Sequence, residues 1–240
     1  MEKQYIIPAL MYHSVNMVSS DYLTVPLENF ERQIRFLAAS YEIKSLGSIV
    51  DDIAHERDMG PKTILITFDD GMEDNFLYAL PILEKYNCKA VFFIVAKYIG
   101  RNNMWNPRAF SVERHMDAGQ IRELLKRGYE IGNHSFDHQR LTKFTLEEQK
   151  KNIEKSDNIL SRLSDGGIHC LSYPYGGVND TLARYCEERY AVSFATERTG
   201  FYDWAKGRSQ IRRIFIAPDD SERVLEKKIS AYQRGMNYEQ

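Results

Sequence analysis

The sequence has few cysteines, little net charge and no long apolar run. Its three cysteines, Cys88, Cys170 and Cys186, are widely spaced among apolar residues, so we expect reduced core thiols and no thiolate metal site. A formal net charge of −2 gives no electrostatic case for a nucleic-acid partner. The longest apolar runs, such as residues 90–96, have the length of a strand and predict no membrane span.

The first residues also lack the features of a secretion signal. The segment Met1–Tyr5 leads directly into an apolar strand, without an apolar signal core or a small-residue cleavage site. Together with the unpaired cysteines, this favours a cytoplasmic protein, with a trimmed leader as the alternative.

The composition is that of an ordinary α/β protein: 240 residues, 43% hydrophobic and 28% charged. Strand and helix patterns alternate along the chain, which predicts a mostly parallel sheet with helices outside it. Seven or eight such units favour a single-domain distorted (β/α) barrel with about seven parallel strands over an open doubly wound sheet. Residues 1–61 would supply an N-terminal strand and helices, and residues 62–240 the rest of the barrel.

The segment that organises the chain is an apolar, β-branched run, Thr63–Phe68, followed by Asp69, Asp70 and Gly71. The pattern predicts a buried strand with two carboxylates at its carboxyl end, where α/β folds bind ligands. Two adjacent buried carboxylates require a cation or a shared proton. A capped turn before a helix is one interpretation, and a metal site with one aspartate as ligand and the other as base is the second.

Three further polar clusters follow apolar strands: His13, His134–His138 and Pro174–Gly177. In a barrel all of these would meet at one rim. His134 and His138 are four residues apart, so one helical turn would place both rings on one face. Two imidazoles and a carboxylate would hold a divalent metal with open positions, zinc most favourably, with Co²⁺ or Ni²⁺ as alternatives.

These motifs resemble a known family. Thr67–Gly71, His134–His138 and Tyr173–Gly176 are similar to the first three motifs of the polysaccharide deacetylase (NodB-homology) family, carbohydrate esterase family four. They occur in the family's order, and the similarity extends from about Lys62 to the C-terminal region. The resemblance implies a distorted (β/α) barrel and metal-dependent removal of acetyl groups from sugars.

The resemblance also implies roles for individual residues. Asp69 corresponds to the general base, and Asp70, His134 and His138 correspond to the metal ligands. The backbone N–H of Tyr175 corresponds to the donor that stabilises the oxyanion.

The chain departs from the family pattern at two positions. Ser172 replaces the arginine that usually holds the base, and Arg212 or Arg213, preferably Arg213, is expected to substitute for it. No histidine follows His169, although the family's acid usually lies late in the sequence. The segment Ala9–Val15, however, resembles the opening of the permuted poly-N-acetylglucosamine deacetylase branch, which implies that His13 is the acid.

Pro174, Tyr175, Trp105 and Trp204 are expected to contact the sugar, while His55, His115 and His169 are interpreted as incidental. Two other functions remain open. The same site could hydrolyse an amide on a non-sugar substrate, or the chain could be a non-catalytic carbohydrate-binding relative. Loss of a ligand or of the base would indicate the second of these, and all four residues are present.

Overall fold

The computed structural model describes residues 4–17, 21–103, 113–196 and 201–236. The strands are β1 Ala9–Tyr12, β2 Ser14–Asn16, β3 Thr24–Pro26, β4 Glu42–Ile43, β5 Thr63–Phe68, β6 Val91–Ile94, β7 Glu130–Asn133, β8 Cys170–Ser172, β9 Val192–Ala195, β10 Ile211–Arg212 and β11 Ile214–Phe215. The α-helices are α1 Leu27–Ser40, α2 Leu46–Ala54, α3 Leu80–Lys85, α4 Ala118–Lys126, α5 Leu146–Leu160, α6 Asp180–Arg189 and α7 Glu222–Gln233.

The main sheet is a nearly closed barrel of parallel strands in the order β10-β9-β8-β7-β6-β5-β1-β11. One continuous segment, 211–215, supplies both ends of this order. Its first residues pair with β9 and its last residues pair with β1, so it bridges the gap between them. If this segment is counted as one strand, the barrel has seven strands, and the predicted distorted (β/α) barrel is confirmed.

Side chains of β5 alternate between two apolar layers. Ile64, Ile66 and Phe68 pack outward among the helices, whereas Leu65 packs in the barrel interior. Residues of a strand alternate faces with a period of two, so the inward set continues through Thr67 to the residue after the strand. This alternation brings the carboxylate of residue 69 into the barrel.

Several local features complete the fold. The three cysteines are free and buried, as predicted, and a capping box of Thr145 and Glu148 begins α5. Strands β2 and β3 pair in parallel beside the main sheet. A π-helical turn, Asn75–Ala79, precedes α3. Among the described residues, no helix is both long and apolar enough to cross a membrane.

The prediction that Trp204 contacts a sugar is wrong. Its side chain is fully buried, its indole N–H donates to the carbonyl of Ile7 at 3.0 Å, and its ring packs edge-on against Phe194. A tryptophan with its single donor satisfied is a stable core residue. Trp105, the other predicted sugar contact of this type, lies outside the described residues.

Gly132 in β7 generates a prediction about the barrel interior. A β-carbon at this position would lie 2.4 Å from Cε1 of Phe93 and 2.7 Å from Sγ of Cys170. Overfilling a packed core costs roughly 1–3 kcal/mol, so Gly132→Ala should lower the free energy of unfolding by that amount in urea titrations. The control is Gly60→Ala, because a β-carbon there would have no atom of any described residue within 4 Å apart from its own chain neighbours. Equal stability of the two variants would contradict the packing argument.

Candidate functional site

The loops that follow β1, β5, β7 and β8 meet at one rim of the barrel. They surround a cavity of about 610 Å³, and its walls include six of the residues singled out from the sequence. These are His13, Asp69, Asp70, His134, His138 and Tyr175. The structure therefore brings together clusters that lie far apart in the chain, because the carboxyl ends of parallel strands share one edge.

Three of these side chains form a group that could hold a metal ion. Oδ1 of Asp70 lies 3.3 Å from Nε2 of His134 and 3.1 Å from Nε2 of His138. The candidate ligand atoms of all three residues lie within 4.8 Å of one another, and all three residues are buried. Two imidazoles and one carboxylate with open positions are a donor set that suits zinc. The residues present thus fit a divalent metal.

The surrounding hydrogen bonds orient this group. Nδ1 of His134 lies 2.8 Å from the carbonyl oxygen of Ser172. A carbonyl can only accept, so Nδ1 carries a proton and Nε2 is the ring nitrogen that faces Asp70. His115, interpreted from the sequence as incidental, donates from Nδ1 to the backbone carbonyl of Asp70 at 2.9 Å. It therefore fixes the backbone of a candidate ligand, and no spacing in the sequence could have revealed this.

The histidine pair does not lie on a helical turn, and that part of the sequence interpretation is wrong. The segment after β7 is a loop in which Ser135 and His138 have left-handed backbone angles, φ 67° and 59°. Asn133 Oδ1 accepts from the Ser135 N–H at 2.7 Å, and Ser135 Oγ accepts from the His138 N–H at 3.0 Å. These local bonds fold the loop so that the two rings lie with their centroids 5.0 Å apart.

Asp69 is held by an arginine from the bridging segment of the barrel. Nη1 of Arg213 donates to Oδ1 of Asp69 at 2.7 Å, and Nη2 donates to Oδ2 at 2.6 Å. The hydroxyl of Ser172 donates to Oδ2 at 3.2 Å and accepts from Nη2 of Arg213 at 2.8 Å. The guanidinium also lies near the rings of Phe93 and Phe194, 5.5 and 5.6 Å from their centroids.

Charge and burial compete at both aspartates. Burial alone raises the pKa of Asp69, but the charges of Arg213 and His134 and the Arg213 hydrogen bonds outweigh it and lower the pKa to about 2. At Asp70, burial likewise raises the pKa, whereas the two neighbouring histidines lower it well below its usual value. Both carboxylates are therefore ionised at neutral pH.

The remaining predicted residues line the cavity or support its wall. His13 follows β1, and burial lowers the pKa of its imidazole while the charges of Asp70 and Asp69 oppose that effect only in part. Its Nδ1 is buried without a hydrogen-bond partner among the described residues. Tyr175 is 49% exposed at the rim. Pro174 is buried behind it and begins the 3₁₀ turn Pro174–Gly176, so it supports Tyr175 rather than lining the cavity.

The cavity wall also includes residues that were not predicted, among them Tyr22 and Arg140. Tyr22 follows β2 and is 73% exposed. Arg140 lies with its guanidinium 5.2 Å from the ring centroid of Tyr175. Both lie in loops without periodicity, so no pattern in the sequence points to them.

Comparisons with known proteins agree on one family. A family model described as polysaccharide deacetylase matches residues 56–191. The Bacillus subtilis protein YxkH, whose name describes a polysaccharide deacetylase, is 28% identical over 218 residues, which are 90% of this chain and 74% of YxkH. The poly-β-1,6-N-acetyl-D-glucosamine N-deacetylase of Staphylococcus epidermidis is 29% identical over 164 residues, and the match covers 64% of this chain and 54% of that protein.

A solved structure supports the same fold. The Streptococcus pyogenes deacetylase PplD, in complex with acetate, superposes with a TM-score of 0.81 at 22% identity. The alignment covers 95% of this chain and 99% of PplD. Two further curated relatives match over 52% and 50% of this chain, which spans only 24% and 18% of their length.

The buried group of Asp70, His134 and His138 generates a prediction about metal content. After equilibrium dialysis against Zn²⁺, elemental analysis should find one ion per chain in the parent. His138→Ala should bind Zn²⁺ more than about tenfold more weakly, because it removes one of three ligands. His55→Ala is the control, because His55 is an exposed histidine at the end of α2. Equal zinc content in the parent and His138→Ala would contradict the assignment.

The ion pair between Arg213 and Asp69 generates a prediction about stability. Arg213→Met leaves a buried carboxylate without its partner, which typically costs about 3–5 kcal/mol of unfolding free energy. The double variant Asp69→Asn/Arg213→Met should be more stable than Arg213→Met, because residue 69 then carries no buried charge that lacks its arginine partner. Asp69 has a folded-state pKa below the usual 3.8. Its ionised form therefore contributes to the free energy of unfolding above pH 3.8, and this contribution is lost as the pH falls through about 2.

Urea titrations at neutral pH measure these differences. Arg212→Met is the matched control, since the neighbouring Arg212 is partly exposed and has no carboxylate partner among the described residues. A parent-like midpoint for Arg213→Met would show that the ion pair does not stabilise the fold.

Proposed function

This chain belongs to the polysaccharide deacetylase family, and we propose that it removes an acetyl group from an N-acetylated sugar in a metal-dependent reaction. One observation carries the proposal: the buried group of Asp70, His134 and His138 lies beside a second, ionised carboxylate, Asp69. A ligand group with an adjacent base is the arrangement that hydrolysis of a carbonyl requires. The name of the Staphylococcus epidermidis relative supports a glycan of N-acetylglucosamine as the substrate class. Within that class, the proposal extends to a surface glycan or a carrier-linked precursor of one.

Asp70, His134 and His138 would hold the metal, and zinc is the ion that suits these donors best. When bound, the metal polarises the acetyl carbonyl and lowers the pKa of water. The hydrogen bond from His134 to Ser172 keeps Nε2 available as a ligand atom.

Asp69 acts as the general base. It takes a proton from water while the water oxygen forms a bond to the acetyl carbon. Arg213 and Ser172 together contact both carboxylate oxygens, so the carboxylate is fixed in orientation and remains ionised. Arg213 thus supplies from the bridging segment the support that the family usually takes from the position of Ser172.

Tyr175 stabilises the negative charge that develops on the carbonyl oxygen. Its backbone N–H lies in the first turn of a short 3₁₀ helix, where N–H groups lack intrahelical acceptors. A donor that is already in position stabilises the developing charge more than one that must reorganise during the reaction. The left-handed backbone of Tyr175, with φ 58°, is part of this arrangement.

His13 acts as the general acid. As the bond between the acetyl carbon and nitrogen breaks, it donates a proton to the leaving nitrogen, and the products are acetate and a free amino sugar. An amide nitrogen leaves poorly as an anion, so the donor is required. His13 lines the same cavity as Asp69, although it comes from a different strand.

The proposal is tested by acetate release. The zinc-loaded parent should release acetate from chitotetraose, and chelator-treated protein should not. Asp69→Asn should lose about 10²- to 10⁴-fold in rate, the usual contribution of general acid–base catalysis. His13→Ala should lose rate on the amide but much less on an activated acetate ester, whose leaving group needs no proton.

Metal content and circular dichroism of each variant show that the protein remains loaded and folded. A parent that releases acetate only from acetylated peptides would be an amidase on a non-sugar substrate. A parent that binds chitotetraose without hydrolysing any acetyl compound would be a carbohydrate-binding relative. If the amide and ester rates of His13→Ala fall by the same factor, His13 is not the acid.

A further inference from the structure

A second cavity, of about 410 Å³, opens beside the candidate site along the bridging segment and α7. Met11, Thr196 and Phe215 line both cavities, so the two form one continuous surface. A substrate longer than one sugar residue could therefore extend from the first cavity into the second. We call the second cavity the Arg212 groove, defined by Thr196, Tyr202, Arg212, Phe215 and Lys228.

The Arg212 groove carries one positive charge that no described carboxylate neutralises. Lys228 forms an ion pair with Asp220, with Nζ 2.5 Å from Oδ2, and donates a hydrogen bond to the carbonyl of Phe215. Arg213 forms its ion pair with Asp69 inside the barrel. Arg212 has no ion pair with any residue in the described ranges, and its guanidinium lies 5.3 Å from the ring centroid of Tyr202.

The position of Arg212 is fixed by its surroundings. Its backbone N–H donates to the backbone carbonyl of Phe201 at 3.0 Å, and its backbone carbonyl accepts from the hydroxyl of Tyr232 at 2.8 Å. Tyr202, which lies against the guanidinium, packs edge-on against Tyr232 with ring centroids 4.9 Å apart. A planar guanidinium that lies against an aromatic ring and has no ion-pair partner among the described residues suits a carboxylate or phosphate oxygen.

We propose that the Arg212 groove binds an acidic group, a carboxylate or a phosphate, carried by the substrate next to its acetylated sugar residue. The inference rests on the proposed deacetylase function. Arg212 pairs with the acidic group, and the remainder of the groove accommodates the residue or linkage that carries it. The groove therefore selects acidic glycans over neutral chitin-like chains, while the metal-binding group and Asp69 act on the acetyl group itself.

The test compares three substrates in the zinc-loaded full chain. Chitotetraose is neutral, a disaccharide of N-acetylglucosamine and N-acetylmuramic acid carries a carboxylate, and N-acetylglucosamine 1-phosphate carries a phosphate. Acetate release gives kcat and KM for the parent, Arg212→Gln, Arg212→Lys and the control Arg122→Gln. Arg122 is exposed on α4, away from both cavities.

Arg212→Gln should raise KM for at least one acidic substrate by about tenfold to a hundredfold, the usual range for loss of a hydrogen bond to a charged group. Its kcat on that substrate, and both constants on chitotetraose, should stay at the parent values. Arg212→Lys should retain part of the affinity, and Arg122→Gln all of it. The substrate whose KM rises identifies the acidic group as carboxylate or phosphate.

Unchanged constants in Arg212→Gln, or the same change on all three substrates, would overturn the inference. Calorimetric titration of the two acidic sugars separates this failure from failure of the proposed function. If the parent hydrolyses none of the substrates but binds an acidic sugar more tightly than Arg212→Gln does, the groove inference holds and the proposed function fails. Equal binding by the two proteins would reject the inference.

Discussion

The ion pair between Arg213 and Asp69 is the interaction on which the site depends. Two buried charges are stable together only when the geometry is good and their other hydrogen-bonding atoms are satisfied. Here both carboxylate oxygens accept from the guanidinium, which also donates to the hydroxyls of Thr67 and Ser172. Only Nε of Arg213 is buried without a hydrogen-bond partner among the described residues of this group. The same arginine lies between β10, which pairs with β9, and β11, which pairs with β1. The segment that closes the barrel therefore also carries the arginine that orients the proposed base.

Around this pair, the loops adopt backbone conformations that most residues avoid. Asp70, Ser135, His138 and Tyr175 all have φ values between 58° and 70°. Left-handed conformations of non-glycine residues cost energy, and they persist where surrounding contacts determine them. Hydrogen bonds such as that from His115 to the carbonyl of Asp70 are contacts of this kind. The stability of the barrel thus holds the candidate metal-binding group and the proposed oxyanion donor in position.

Much of the fold was predictable, because strand periodicity and the order of strand-end polar clusters are local properties of the sequence. The family resemblance is confirmed, and the cavity unites the residues that it singled out. The failures concern properties that depend on the whole fold. The histidine spacing suggested a helical turn because spacing does not report left-handed loop residues. Trp204 was misassigned because sequence does not show which side of a barrel a tryptophan faces. Periodicity did not establish which of Arg212 and Arg213 faces Asp69, and the structure shows that the buried one, Arg213, does.

The central place of β1 in the barrel affects the order of events during synthesis. β1 emerges first, yet its two neighbours are β5 and the much later β11. The ion-pair partner of Asp69, Arg213, likewise lies 144 residues further along the chain. Until residues 211–215 have been synthesised, β1 lacks one of its two neighbours and Asp69 lacks its counter-charge. This short segment therefore covers a strand edge with which other chains could otherwise pair, and in the same step it supplies the charge that Asp69 needs inside the barrel.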